Sequence, residues 1–236
     1  MKGKNFLREI ALLQSTNLKI WDIYLKPCRT IWPFLGWSPK SVDREILSIE
    51  EISEVFDLSD INKAGAKFSW EKLNWINSQY IKNMESTKLS EIMSKYWDDN
   101  GWVPPSQEWA HKLAILLRDS MTLLKDSIDQ SKPFFLIPTI QKEGQDFLEN
   151  KDSKASLKLI LNYLIGQNTI KIDKEKAKEI INEISKIHNV KKGFLMKSLR
   201  VAFFGSLSGP DLIQSWELFS ESKSDITRIE RCLKSI

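Results

Sequence analysis

Cysteine is almost absent from this sequence, and with it every arrangement that depends on cysteine. Cys28 and Cys232 stand about two hundred residues apart, which builds neither a disulfide framework nor a metal cluster. The two histidines, His111 and His188, have no His, Cys or carboxylate at ligand spacing, so no metal site is expected. Glycine (9) and proline (8) are scarce among 236 residues, which argues against collagen, disorder and a turn-rich β sandwich. The glycines are also dispersed, leaving no GxxxxGK or GxGxxG phosphate loop and no nucleophile elbow. Charged residues interrupt every apolar run before it could span a bilayer, so no membrane partner is expected. Arg8 and Glu9 break what would be the apolar centre of a secretory signal. No active site is recognisable from composition and spacing.

What is present is helical patterning. Residues 1–37 mix periodicities, with Pro27 and Pro33 breaking any long helix. Ser48 and Glu51 form a capping box before an apolar stripe. Ser69 caps a helix whose buried face is Leu73, Ile76, Tyr80 and Met84. Trp70, Trp75 and Tyr80 are read as core residues. A break at DDNGWVPP precedes a helix that starts near Ser106 and is expected to run through Trp109, Leu113 and Leu117 to Leu124. Pro133 and Pro138 bracket FFLI, read as a connector. Four further helices follow: one with Leu157, Ile160, Leu161 and Leu164 stopping at Gly166, one from Asp173 with Ala177, Ile180, Ile181 and Ile184, one over GFLMKSLRVAFFG, and one with Pro210 at its first position. SDITRIERCLKS closes the chain. Eight of the nine tryptophans precede residue 110, so separate cores are expected in the two halves. The fold class is mainly α, in two or three modules.

Charge separates the halves too. Between Lys154 and Arg200 there are eleven basic and four acidic residues. Such a local excess attracts a polyanion, although a lysine-rich solvated surface has the same composition. A sharper feature is GSLSGPDL, Gly205–Leu212. Its glycines leave backbone uncovered, a helix begins after it, and Lys197 and Arg200 lie upstream within reach of phosphates. An ordinary αα turn is the alternative.

Two runs carry a family likeness. FLGWSPKSVDREILSIEEISEVFDLSDINKAGAKFSWEKLNWINSQYI resembles bacterial and organellar glutamyl-tRNA synthetases just after their catalytic domain, and VKKGFLMKSLRVAFFGSLSGPDLIQSW resembles their C-terminal end. The resemblance implies all-helical anticodon-binding domains preceded by a small stem-contact remnant. The expected division is a divergent segment 1–33, a stem-contact-like region 34–84, and helical domains 85–140 and 141–236. The HIGH and KMSKS-type signatures of the family are not found, so no cofactor is expected on this chain; ATP and glutamate would be bound by a catalytic domain. The resemblance further implies a tRNA partner of glutamate or glutamine type, a separate catalytic half as a second partner, and a cytoplasmic or organellar location. By the same resemblance, Gly209, Pro210 and Leu212 occupy the turn that relatives press against anticodon bases. Ser120, two residues after Arg118, stands where some relatives place an arginine that reads the third anticodon base; a serine lacks that fork, which implies relaxed reading. Three functions stay open: a tRNA-binding module, part of a complete or split ligase, and a helical interaction module that has lost RNA binding.

Overall fold

In a computed structural model, residues 47, 49–60, 70–166 and 171–235 are described. Ser48, Ser69 and residues 1–46 lie outside them, so the expected capping box, the Ser69 cap and the N-terminal segment do as well. The chain divides into two compact units, Met1–Met84 with Met121–Leu123, and Glu85–Ser120 with Leu124–Ile236.

In the first unit, α1 (Ile49–Val55) and a 3-10 turn at Leu58–Asp60 precede α2 (Trp70–Lys82). Leu73, Ile76 and Ile81 are buried, with Tyr80 packed on this cluster. Helical spacing therefore located Leu73 and Ile76, while the expected Tyr80 and Met84 are half-buried and the buried Asn77 and Ile81 were missed. Trp75 departs from the expectation of a core residue, being 42% exposed. On the α2 wheel it falls one residue before Ile76, about 100° off the buried stripe. The buried Asn77 carboxamide donates to the carbonyl of Thr122.

The second unit is a stack of helices: α3 (Ser86–Asp99), α4 (Gln107–Arg118), α5 (Asp126–Phe135), α6 (Lys142–Leu148), α7 (Lys151–Gly166), α8 (Lys174–His188), α9 (Lys192–Phe204), α10 (Leu212–Glu221) and α11 (Asp225–Lys234). Side-chain caps fix three of their starts. The Ser106 hydroxyl accepts the Trp109 N–H at 3.1 Å, and the Asp173 and Asp211 carboxylates accept those of Lys176 and Gln214 at 2.8 and 2.9 Å. Each cap satisfies a helix-end donor and contributes about 1 kcal/mol. Asp211 therefore corrects the expected start of α10. Its carboxylate fixes the cap one residue after Pro210, which stays outside the helix. Likewise α4 stops at Arg118 rather than reaching Leu124, and turns carry the chain to α5.

Phe134 and Phe135 also depart from expectation, since they end a helix rather than form a connector. Pro133 removes one backbone donor from that last turn, but its rings have strong partners. Phe135 lies 5.3 to 5.4 Å from Trp97, Trp102 and Trp109, and Phe134 stacks on Phe219 at 5.0 Å. Several such pairs, at about 0.5–1.5 kcal/mol each beyond area burial, outweigh one lost bond. The Phe134–Phe219 pair also joins residues 85–140 to 141–236. Trp109 adds a hydrogen bond from its indole to the Leu218 carbonyl at 2.8 Å. α7 packs against α9 and α11, and α8 against α9 and α10, sealing Leu157, Ile160, Ile180, Leu195, Leu199 and Ile229 inside.

Candidate nucleic-acid interface

The turn after α9 is built before it is useful. Gly205 closes the helix in the left-handed region at φ +70°, where a glycine has no steric cost. A Cβ there would clash with the Thr139 carbonyl oxygen. The Gln141 N–H donates to the Gly205 carbonyl at 2.7 Å. One oxygen of Glu143 accepts both the Ser206 hydroxyl, at 2.8 Å, and the Leu207 N–H, at 3.2 Å. The start of α6 thus acts as a clamp on residues 205–208. Past the clamp, Gly209 adopts φ +149° against the Phe204 ring, and the Arg200 guanidinium donates to the Pro210 carbonyl at 2.8 Å.

This turn forms one wall of a groove of about 610 Å³. The opposite wall is the end of α4 and the outer face of α5, with Asp119, Ser120, Asp129, Gln130 and Pro133 lining it. Ser120 and Gly209–Pro210, 89 residues apart in the chain, meet there. The lining combines the hydroxyls, carboxamides and carboxylates of its Ser, Gln and Asp residues with the apolar groups of Leu116, Leu117, Phe204, Pro133 and Pro210, and holds no lysine or arginine. Such a surface suits the hydrogen-bonding edge and face of a flat polar molecule better than a phosphate.

The other expected site residues are placed differently. Leu212 is 1% exposed, so it is a core contact of α10 and offers no surface to a base. Its position directly after the Asp211 cap points it inward beside Trp216. Arg118 is half-buried, already engaged within the protein, and not among the groove's lining residues. Arg200 is half-buried; burial pushes its guanidinium down, while the Asp211 carboxylate pulls it back up. Its bond to Pro210 makes it a support of the turn. Lys197 is exposed on the same helix, one turn upstream.

The lysine-rich stretch divides in two. Lys171 pairs with Glu221 at 2.9 Å, Lys176 with Glu179 and Lys178 with Glu175, and Lys174 donates to Gln214. Lys186, Lys191, Lys192 and Lys197 are exposed and lack ion pairs among the described residues. Sequence reasoning missed Gln130, Asp129, Asp119, Gln141 and Glu143. Polar residues at helix ends carry no periodic signal, so nothing in the sequence marked them. Among the described residues, no three His, Cys, Asp or Glu side chains are placed to hold a metal ion, and no helix is long and apolar enough to cross a membrane.

The second unit thus carries a groove of mixed polar and apolar lining and, on α8 and α9, exposed lysines that lack ion pairs among the described residues. The chain belongs to the anticodon binding domain family, whose model matches residues 84–233. It is similar to the glutamate–tRNA ligase of Prochlorococcus marinus (strain MIT 9215), 88% identical over 203 residues that cover 86% of this chain and 42% of that protein. The glutamate–tRNA ligase of P. marinus subsp. pastoris (strain CCMP1986 / NIES-2087 / MED4) is 66% identical over 232 residues, 98% of this chain and 48% of that protein. The crystal structure of a glutamate tRNA ligase from Elizabethkingia meningosepticum CCUG26117, in complex with its amino acid, superposes with a TM-score of 0.81 at 27% identity, over 89% of this chain and 41% of that one. The chain thus spans a little under half the length of the curated relatives it matches.

Proposed function

We propose that the chain grips the anticodon arm of a glutamate tRNA as part of a glutamate–tRNA ligase. The observation that carries this reading is that Ser120 and Gly209–Pro210 line one groove, in which donors and acceptors stand among apolar side chains. Single-stranded RNA loops are recognised by unstacking bases and bonding their edges; a groove without cations but rich in donors and acceptors suits that task. Lys197 on α9, with Lys191 and Lys192 at its start, would supply the phosphate attraction that a base-reading groove lacks. The relatives' name supports glutamate as the amino acid. ATP and glutamate are then bound by a catalytic domain, on the same polypeptide or docked to it, and the helices described here carry no cofactor. Glutamine tRNA is a second ligand on this reading, because Ser120 offers no guanidinium fork to exclude it. The cytoplasm is the expected location.

Binding of the chain to a fluorescent anticodon stem-loop of glutamate tRNA tests the reading. Affinity should fall when the loop is closed into a duplex of the same length and charge. Equal binding of loop and duplex would leave only electrostatics, and no binding at all would favour a helical interaction module.

A further inference from the structure

The turn that walls the groove has little backbone structure of its own. Residues 206–210 make no backbone–backbone hydrogen bond among the described residues, so side chains set their shape. Two residues from outside the turn supply polar support. Arg200 holds the Pro210 carbonyl, and Glu143 holds the other end. Glu143 is not part of the groove lining, whereas Ser206, Ser208, Gly209 and Pro210 are.

One Glu143 oxygen takes protons from two consecutive residues, the Ser206 hydroxyl at 2.8 Å and the Leu207 N–H at 3.2 Å. A carboxylate is the strongest acceptor in reach, so the single Ser206 proton is committed to it. Ser206 Oγ is left to accept, and it takes the Ser208 N–H at 3.1 Å and the Ser208 hydroxyl at 3.0 Å. The carboxylate thus holds Leu207 directly, and Ser208 through a hydroxyl of the buried Ser206. The ground under Glu143 is firm. Its neighbour Gly144 is buried, and a Cβ there would come within 3.0 Å of the Gly205 carbonyl oxygen, so α6 lies backbone to backbone against the turn. The second Glu143 oxygen makes no hydrogen bond among the described residues.

We propose that Glu143 is a positioning residue for base reading: acting through Ser206, Leu207 and Ser208, it holds the 206–210 turn in the form that discriminates among loop bases. This rests on the reading that the groove receives bases of the anticodon loop. The hold depends on an acceptor oxygen at one point. A glutamine can present that oxygen and set its nitrogen where the second oxygen stands, whereas a leucine offers neither.

The test titrates the full chain with anticodon stem-loops of glutamate tRNA, one with the natural loop and others with each loop base replaced in turn. Wild type, Glu143→Gln and Glu143→Leu are compared, with folding checked by circular dichroism. Preference is the ratio of affinities for natural and altered loops. Partial unfolding lowers affinity for every loop by the same factor, and the lost negative charge also acts on all loops alike, so neither moves the ratio. In the wild type, at least one altered loop should bind about tenfold more weakly, the worth of one good base contact. Glu143→Leu should shrink that ratio about fivefold, the worth of one net hydrogen bond, and Glu143→Gln should stay within about twofold of the wild type. Amide exchange at Leu207 and Ser208 is the second readout, expected to quicken in Glu143→Leu and to hold in Glu143→Gln. A wild-type ratio or wild-type exchange in Glu143→Leu would overturn the inference. Equal losses in the two variants would overturn it as well, since the charge and not the acceptor would then be responsible. A wild type indifferent to every loop base would remove the anticodon-binding reading together with this one, whereas a selective wild type with an insensitive Glu143 removes this one alone.

Discussion

The Arg228 guanidinium donates to the carbonyl of Phe203, 25 residues earlier in the chain, at 3.1 Å. Its other nitrogens reach the Phe134 and Leu136 carbonyls at 3.4 and 3.3 Å and the Ser224 hydroxyl at 3.3 Å. The Phe219 ring lies under it at 4.2 Å. Arg228 is 2% exposed, and burial pushes its guanidinium down to about 10, which still leaves it charged at neutral pH. The cation is thus held by carbonyl dipoles from the ends of α5 and α9, the two elements that bound the groove.

Arg228→Met should therefore cost about 3–5 kcal/mol. The side chain is replaced by an apolar one of smaller volume, and carbonyls that shared one cation lose their partner. Urea unfolding followed by tryptophan fluorescence measures it. A loss below about 1 kcal/mol would mean that water replaces the guanidinium.

Gly205→Ala is expected to cost about 2–3 kcal/mol. The new Cβ meets a backbone oxygen, which cannot rotate aside, and the residue must keep a left-handed φ. Thermal melts check the size of the effect. Gly209 has a related problem: at φ +149° any side chain is strained, and a Cβ meets the Phe204 ring at 3.2 Å and Arg200 Nη1 at 3.3 Å. Enlarging Gly209 to block a base would thus disturb the turn itself.

Glu221 gives a pH dependence. Burial alone would raise its carboxyl, but hydrogen bonds from Lys112 (2.8 Å) and Lys171 (2.9 Å) outweigh that and hold it below the ordinary carboxylate value. A carboxylate lowered by folding stabilises the protein above its unfolded pKa of about 4.3, and the contribution fades as pH falls through the lower folded value. Lys112 mirrors this. Burial works against its charge, yet Glu217 and Glu221 raise it above the ordinary lysine value, so its share is complete below about 10.4 and is lost only as pH rises through the folded value. Glu221→Gln should cost about 1 kcal/mol at neutral pH, and wild type and variant should converge near pH 3. Urea midpoints at the two pH values decide this; a gap that persists at pH 3 would trace to packing.

How much of this was legible beforehand varies by residue. The α8 stripe, Ala177, Ile180, Ile181 and Ile184, lies at 4% exposure or less, because a helix with one apolar face and a strong cap has little alternative to burying it. α6 carries no such stripe. Only Phe147 and Leu148 are apolar in Lys142–Leu148, and its place is set by tertiary contacts with the 205–208 turn. Arg228 reads as a surface residue by composition and is instead the bridge between α5 and α9. The Gly205–Leu212 turn was legible in its own glycines, whereas Ser120 was nameable only through family likeness, and no local rule joins residues so far apart. Their neighbour Gln130 becomes visible only when α5 is laid against the end of α4.

Lys197 and Arg200, grouped together by the sequence, part ways in the structure. Lys197 is exposed and unpaired among the described residues, whereas Arg200 donates to the Pro210 carbonyl from a half-buried position. If Lys197 meets a phosphate, Lys197→Gln should weaken tRNA binding about equally for all loop sequences. It should also reduce the slope of log affinity against log salt by about 0.7–0.9, the value of one phosphate contact. Arg200→Gln should do something else. With its guanidinium gone, the Pro210 carbonyl loses a charged donor and the turn loosens, so loop-sequence preference should fall while the salt slope changes little. Titrations at several salt concentrations, with matched and altered loops, measure both quantities for both variants. Identical salt slopes for wild type and Lys197→Gln would remove Lys197 from the interface. A full unit lost on Arg200→Gln would show that its guanidinium leaves the turn for the RNA.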